Sequence, residues 1–135
     1  MSILVNIDVP DLARAVAFYT DGLGLRVGRT FDDSFIELLG GGAPIYLLVK
    51  PVGSSPIPGV SEPTRLYTRH WTPVHLDFAV GDIVAAREQA MSAGAIAEGE
   101  ITEHPYGRLA LMTDPFGNGF CLLQFNDRGY DAIAT

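Results

Sequence analysis

Hydrophobic and polar residues alternate with a period of two over residues 73–80: Val74, Leu76, Phe78 and Val80 are interleaved with His75, Asp77 and Ala79. That period belongs to a strand with one buried face and a second face directed elsewhere. Residues 3–9 repeat it, with Ile3, Val5, Ile7 and Val9 interleaved with Leu4, Asn6 and Asp8. Pro10-Asp11 follows the first run and Gly81-Asp82 the second. An aspartate there can accept a hydrogen bond from a first-turn N–H, so a helix is predicted after each strand. Matching Val9 to Val80 and Asp11 to Asp82 sets Leu4 opposite His75.

Read in order, the first half gives a strand over 2–9 and a helix to about Gly22, with Leu12, Ala15, Val16, Tyr19 and Leu23 at helical spacing. Gly22 and Gly24 suit its C-terminal cap. Three extended segments follow, over 25–30, 35–39 and 45–50, separated by turns at 31–34 and at Gly40-Gly41-Gly42. The second half repeats the order: a strand over 72–80, a helix closed by Gly94, and extended segments over 96–103, 108–113 and 120–125. Turns fall at 104–107 and 114–119, where the Asp114 side chain fixes the backbone. Residues 126–135 read as a polar tail.

Between the halves lies a connector over 51–71 with Pro51, Pro56, Pro58 and Pro63. It is longer than the about 12–15 residues that structureless loops ordinarily reach in compact domains. It reads as a module linker or a lid, with Tyr67 and Trp71 packing it down. The predicted organisation is one domain over 1–135, with modules at 1–50 and 72–125. Repeated half-modules of this kind make a pseudo-symmetric fold in which a cleft lined by both copies is the natural ligand site.

Composition narrows the function class. The 135 residues are 47% hydrophobic and 19% charged, which is globular rather than disordered. A net charge of −7 argues against nucleic acid or an anionic membrane as partner. The single cysteine cannot form an intramolecular disulfide. No signal-peptide pattern opens the sequence and no apolar run nears the ~20 residues of a membrane span, so a soluble cytoplasmic protein is expected.

Three stretches carry a family resemblance: Val9–Tyr19 with Gly22-Leu23-Gly24-Leu25, then 73–80, then 113–124 with its Asp114-Pro115-Phe116-Gly117-Asn118-Gly119 turn. The sequence resembles the vicinal oxygen chelate superfamily of glyoxalases, bleomycin-resistance proteins, fosfomycin-resistance enzymes and extradiol dioxygenases. The resemblance implies an α+β fold of two βαβββ modules, forming a curved mixed sheet around a cavity, and a homodimer. It also implies four metal-ligand positions, on the first and last strand of each module. In this sequence these fall at Leu4, Tyr46, His75 and Cys121. Leu4 cannot coordinate, neutral Tyr46 is a poor ligand, and Cys121 stands where glutamate is common.

The expectation is therefore a cavity that binds a small, partly apolar organic molecule without the family's metal. Its lining would be Asn6, Asp8, Tyr46, Leu48, His75, Asp77, Cys121 and Leu123. The alternative is a metal-dependent lyase, isomerase or dioxygenase with a shifted set, His75 and Cys121 with Glu37 or Asp77. His75 and Cys121 are the candidate catalytic residues, as base or as thiolate–imidazolium pair. Against these stand plainer readings: Cys121 as a small buried hydrophobe, and His75 as a hydrogen-bonding relic of the ligand position. Asp77 faces the same side as His75, but about 6.5 Å further along a regular strand. The facing of Glu37 is ambiguous, and His70 and His104 read as ordinary solvent-exposed residues.

Overall fold

Strand β1, Val5–Val9, ends where Pro10 interrupts the alternation, and Asp11 in an extended conformation caps the helix that follows. Its carboxylate accepts from the Arg14 N–H at 3.0 Å, as the sequence predicts. Helix α1, Leu12–Ala17, continues as a π-helical turn over Phe18–Gly22. There the Thr20 hydroxyl donates to the Val16 carbonyl at 2.8 Å, competing with the regular helical bond to that acceptor. Gly24 takes a positive φ of 73° and closes the turn. The computed structural model describes Met1–Thr135 and divides into two units, Met1–Thr68 and Arg69–Thr135.

In the first unit, β2 (Arg26–Phe31), β3 (Phe35–Leu39) and β4 (Ile45–Val49) complete a sheet of order β1-β4-β3-β2. β1 runs parallel to β4, and the other pairs are antiparallel. One face carries Val9, Leu38, Ile45 and Leu47, buried on the side where Ala15, Phe18 and Tyr19 also lose contact with water. On the other, the register sets Asn6 and Glu37 beside Tyr46, and Asp8 and Phe35 beside Leu48. The connector is more than a tether. Arg65 pairs with Asp8 at 2.7 Å and donates to the Ser55 carbonyl at 2.7 Å, while the Tyr67 hydroxyl donates to the Lys50 carbonyl at 2.6 Å.

The second unit repeats this plan. β5 (Leu76–Ala79) leads to α2 (Ile83–Ser92), capped by Asp82, whose carboxylate accepts from the Ala85 N–H at 3.1 Å. β6 (Ile96–Ala97), β7 (Thr102–His104), β8 (Gly107–Thr113) and β9 (Gly119–Phe125) follow. The order is β5-β9-β8-β6, with β7 also on β8 and β5 parallel to β9. Phe120, Leu122, Ala110 and Met112 fill the core, with Ile83 and Ala90 of α2.

Four local readings are corrected. The single extended segment predicted over 96–103 is split by Gly99 at φ 137°, and its two pieces pair with different stretches of β8. His104 belongs to β7 rather than to the turn, and its Nε2 lies 2.8 Å from the Thr102 hydroxyl. Both first strands begin late, so Leu4 and His75 each stand one residue ahead of regular pairing. The tail contains a 3-10 turn, Gly129–Ala132, anchored where Tyr130 meets Phe125 and Tyr106.

Gly107 opens β8 at φ 144°, and a Cβ there would collide with the Gln124 carbonyl of β9. Gly107→Ala should therefore destabilise the protein by about 3 kcal/mol, combining an unfavourable φ with a clash against backbone. Urea unfolding reads this directly. A loss below about 0.5 kcal/mol, the range of a neutral surface change, would contradict it.

Candidate functional site

On the first unit's sheet, the face away from the helix is organised by Glu37. The residue sits in β3 between two other strands and is only 6% exposed, which resolves its facing: it is not an exposed edge residue. A buried carboxylate is stable only when its oxygens are hydrogen-bonded. Arg29 supplies three donors: its backbone N–H (3.1 Å) and Nε (3.1 Å) to Oε1, and Nη2 (2.6 Å) to Oε2. Tyr46 donates its hydroxyl to Oε2 at 2.8 Å, and the Tyr46 hydroxyl oxygen in turn accepts from Arg29 Nη2 at 3.1 Å.

The backbone is shaped to permit this. The β2–β3 register shifts between Val27 and Thr30, and a Cβ on Gly28 would stand 2.6 Å from Glu37 Oε1. The hydrogen bonds from the Arg29 side chain, then from its backbone, then from Tyr46 lower the Glu37 carboxyl from 4.5 to about 2. The guanidinium rises above its ordinary value for the reciprocal reason. Because the folded value is depressed, the ionised carboxylate stabilises the fold above about pH 4.5, and that contribution is lost as pH falls toward 2.

On the second unit, Asp77 is the hub. Because His75 precedes the regular strand, its ring turns back and Nδ1 lies 3.1 Å from Asp77 Oδ1, closer than a regular strand would bring it. A neutral imidazole holding this contact donates from Nδ1 and leaves Nε2 as acceptor. Trp71 packs edge-on against the ring at 5.9 Å, its indole lying over Gly119, where any Cβ would collide with it. Asp77 is also the register partner of Cys121, whose thiol donates to it. Burial, then the Asp77 charge and that hydrogen bond, push the thiol up to about 12. At neutral pH Cys121 is therefore a protonated thiol, beside Leu123 on the same strand face.

These placements test the four ligand positions. Leu4 is 58% exposed and has no donor atom. Tyr46 is engaged with Glu37 and Arg29, and Cys121 holds its proton. The four-position set does not fit a family-type metal. A different grouping exists within the second unit: one donor atom each from His75, Asp77 and Cys121 lie within 4.8 Å of one another. Asn6 and Asp8 share the Glu37 face, with Asp8 paired to Arg65. His70 bridges to Asn118, and His104 stacks on Tyr106 at 5.0 Å. Asp114 fixes its turn, accepting from the Phe116 N–H at 2.8 Å and the Asn118 N–H at 3.0 Å.

Sequence reasoning missed Arg29 and Arg65, and gave Trp71 the packing of the connector rather than a place against His75. Arg29 had a legible signal: in a hairpin pairing Phe31 with Phe35, positions 29 and 37 fall near one another.

Two βαβββ units, each pairing its first and last strands in parallel, define the paired-module class of vicinal oxygen chelate proteins. The glyoxalase-like domain family matches residues 4–123, and the chain belongs to it. The chain is 35% identical over 130 residues to an ethylmalonyl-CoA/methylmalonyl-CoA epimerase from Cereibacter sphaeroides, covering 89% of this chain and 92% of that protein. It is 31% identical over 131 residues to the anthracycline biosynthesis protein DnrV of Streptomyces peucetius, covering 93% of this chain but 46% of DnrV, about half of its length. Among solved structures, the fosfomycin resistance protein FosX from Listeria monocytogenes superposes with TM-score 0.69 at 16% identity, covering 95% of each chain. A glyoxalase/bleomycin resistance protein/dioxygenase family enzyme from Burkholderia phytofirmans gives 0.67 at 21%, covering 91% of this chain and 97% of that one.

The raised thiol predicts its own behaviour. The fold favours the protonated form, so the linked stability is intact below the unfolded value and is lost as pH rises from about 9 toward 12. At pH 8 the native thiolate population is roughly a thousandfold below that of an ordinary cysteine. Labelling by an aromatic disulfide reagent should therefore track urea unfolding. Fast stoichiometric labelling of the native protein would contradict this.

Proposed function

We propose that this chain is a glyoxalase/bleomycin-resistance-like protein that binds a small, partly apolar organic molecule, without the family's metal and as a cytoplasmic homodimer. The observation that carries the reading is how the expected metal positions are used. Tyr46 spends its hydroxyl on Glu37, Cys121 holds a proton toward Asp77, and Leu4 has nothing to offer. Each unit keeps its own mixture, Leu48 on the sheet face of Asn6, Asp8 and Tyr46 in the first and Leu123 on the strand face of Cys121 beside Asp77 in the second, and either suits a ligand held by apolar contact and a few directed hydrogen bonds. The relatives named for anthracycline biosynthesis, fosfomycin resistance and acyl-CoA epimerisation are consistent with organic ligands of that scale. For the dimer and the compartment the support is the family resemblance and the sequence composition.

A second reading is favoured by one observation, the convergence of His75, Asp77 and Cys121 within 4.8 Å. In it the chain is a metal-dependent lyase, isomerase or dioxygenase, with a divalent ion held by one module alone. A soft ion such as zinc would have to displace the Cys121 proton, since the thiolate is the ligand. In the metal-free reading, Asp77 instead fixes the His75 ring, and Nε2 serves a ligand as hydrogen-bond acceptor or base.

Elemental analysis separates the two. After incubation with zinc, nickel, manganese or ferrous iron and removal of free metal, the metal-free reading expects no stoichiometric metal and no metal-dependent rise in melting temperature. About one equivalent in the wild type, lost in His75→Ala, would overturn it in favour of the metalloenzyme.

A further inference from the structure

The Arg29–Glu37 pair is lopsided in a way its bonding alone does not require. Side-chain exposure is 68% for Arg29 and 7% for Glu37. The carboxylate is turned inward and saturated, whereas the guanidinium stands outward. Every bond that Arg29 makes to Glu37 and Tyr46 uses its backbone N–H, Nε or Nη2, which leaves the Nη1 edge of the fork for an outside acceptor. Beside it stand half-buried aromatic rings. Phe31 and Phe35 stack at 4.1 Å and 10°, Phe35 tilts against Tyr46 at 6.3 Å, and the guanidinium lies over Phe31 at 5.6 Å from its centroid. The pair thus has no net charge, but what it presents to solvent is a fixed cation at the border of an aromatic surface.

We infer that Arg29 with Phe31 forms a recognition subsite for a flat aromatic ligand carrying a carboxylate or similar oxyanion. The inference rests on the reading of the chain as a small-molecule-binding protein and narrows its ligand class. Where the resemblance leads one to expect a bound metal cation near Tyr46, the chain holds a cation of its own, built into the sheet. A guanidinium clamped by Glu37 has already lost its rotamer freedom, so an oxyanion meets a preorganised donor. With Phe35 stacked on Phe31 and the guanidinium over the ring, Phe31 meets an aromatic ligand at its edge, in the edge-to-face contact that aromatic pairs favour. A small anion without an aromatic body should gain little, because one solvent-exposed charge contact is weak in water.

The test uses the full chain with three probes, 2-naphthoate, its neutral amide 2-naphthamide, and acetate, titrated by calorimetry. 2-Naphthoate should bind with one-to-one stoichiometry at least about tenfold more tightly than 2-naphthamide, and acetate should give no saturable heat. In Arg29→Lys the single ammonium is drawn to Glu37 and no fork remains, so 2-naphthoate should weaken to about the level of the amide. Phe31→Ala leaves the clamp in place and should weaken both aromatic probes together. Equal binding of naphthoate and naphthamide to the wild type would overturn the Arg29 assignment while leaving ligand binding itself standing. Failure of both to bind at millimolar concentration, or full naphthoate affinity in Arg29→Lys, would overturn it as well. Should Arg29→Lys fail to fold, the comparison of acid with amide in wild type and Phe31→Ala decides.

Discussion

The first unit's exposed sheet face depends on satisfying one buried carboxylate. Glu37 lies mid-sheet, where an unpaired charge would be far costlier than any neighbouring contact could offset. Its four donors determine the rest: Gly28 has no side chain so that Oε1 has room, the β2–β3 register shifts, and Tyr46 turns its hydroxyl sideways within the sheet. Arg29 is fixed in place as the consequence. Tyr46, which the family resemblance marks as a metal-ligand position, is hydrogen-bonded to both members of this protein-internal ion pair.

The second unit shows the same architecture put to another use. There the hub is Asp77, which gathers a histidine from just outside the strand and a thiol from the strand beside it. The two units share element order and strand pairing yet carry unrelated side-chain chemistry on corresponding faces. This is why the fold identifies the family without specifying an activity. What distinguishes this chain within the family is the side-chain chemistry at Glu37, Arg29, His75, Asp77 and Cys121.

Much of this was legible in the sequence, because period-two alternation and Asp caps are local signals. The caps at Asp11 and Asp82, the turn held by Asp114 and the βαβββ order follow from them. What was not legible depended on a partner distant in sequence or on the end of a strand. His75 reaches Asp77 only because regular pairing starts at Leu76, a boundary that alternation through Val74 conceals. The break at Gly99 depends on how two short strands share β8, and the π-helical turn on a hydroxyl of Thr20 within an otherwise ordinary helical pattern. The partners of Glu37 required the hairpin register, which turn position suggests and the bulge then modifies.

The first unit's sheet face stands most directly on the ionisation of Glu37. Carboxyl carbon-13 NMR of glutamate-labelled protein, with the Glu37 resonance assigned from the Glu37→Gln spectrum, measures it at the site. The Glu37 resonance should stay in its ionised position from pH 7 down to pH 3, with its inflection at about 2. An inflection near the ordinary 4.5 would mean that Arg29 and Tyr46 do not hold the carboxylate, and would contradict an organisation of the first unit's face around Glu37.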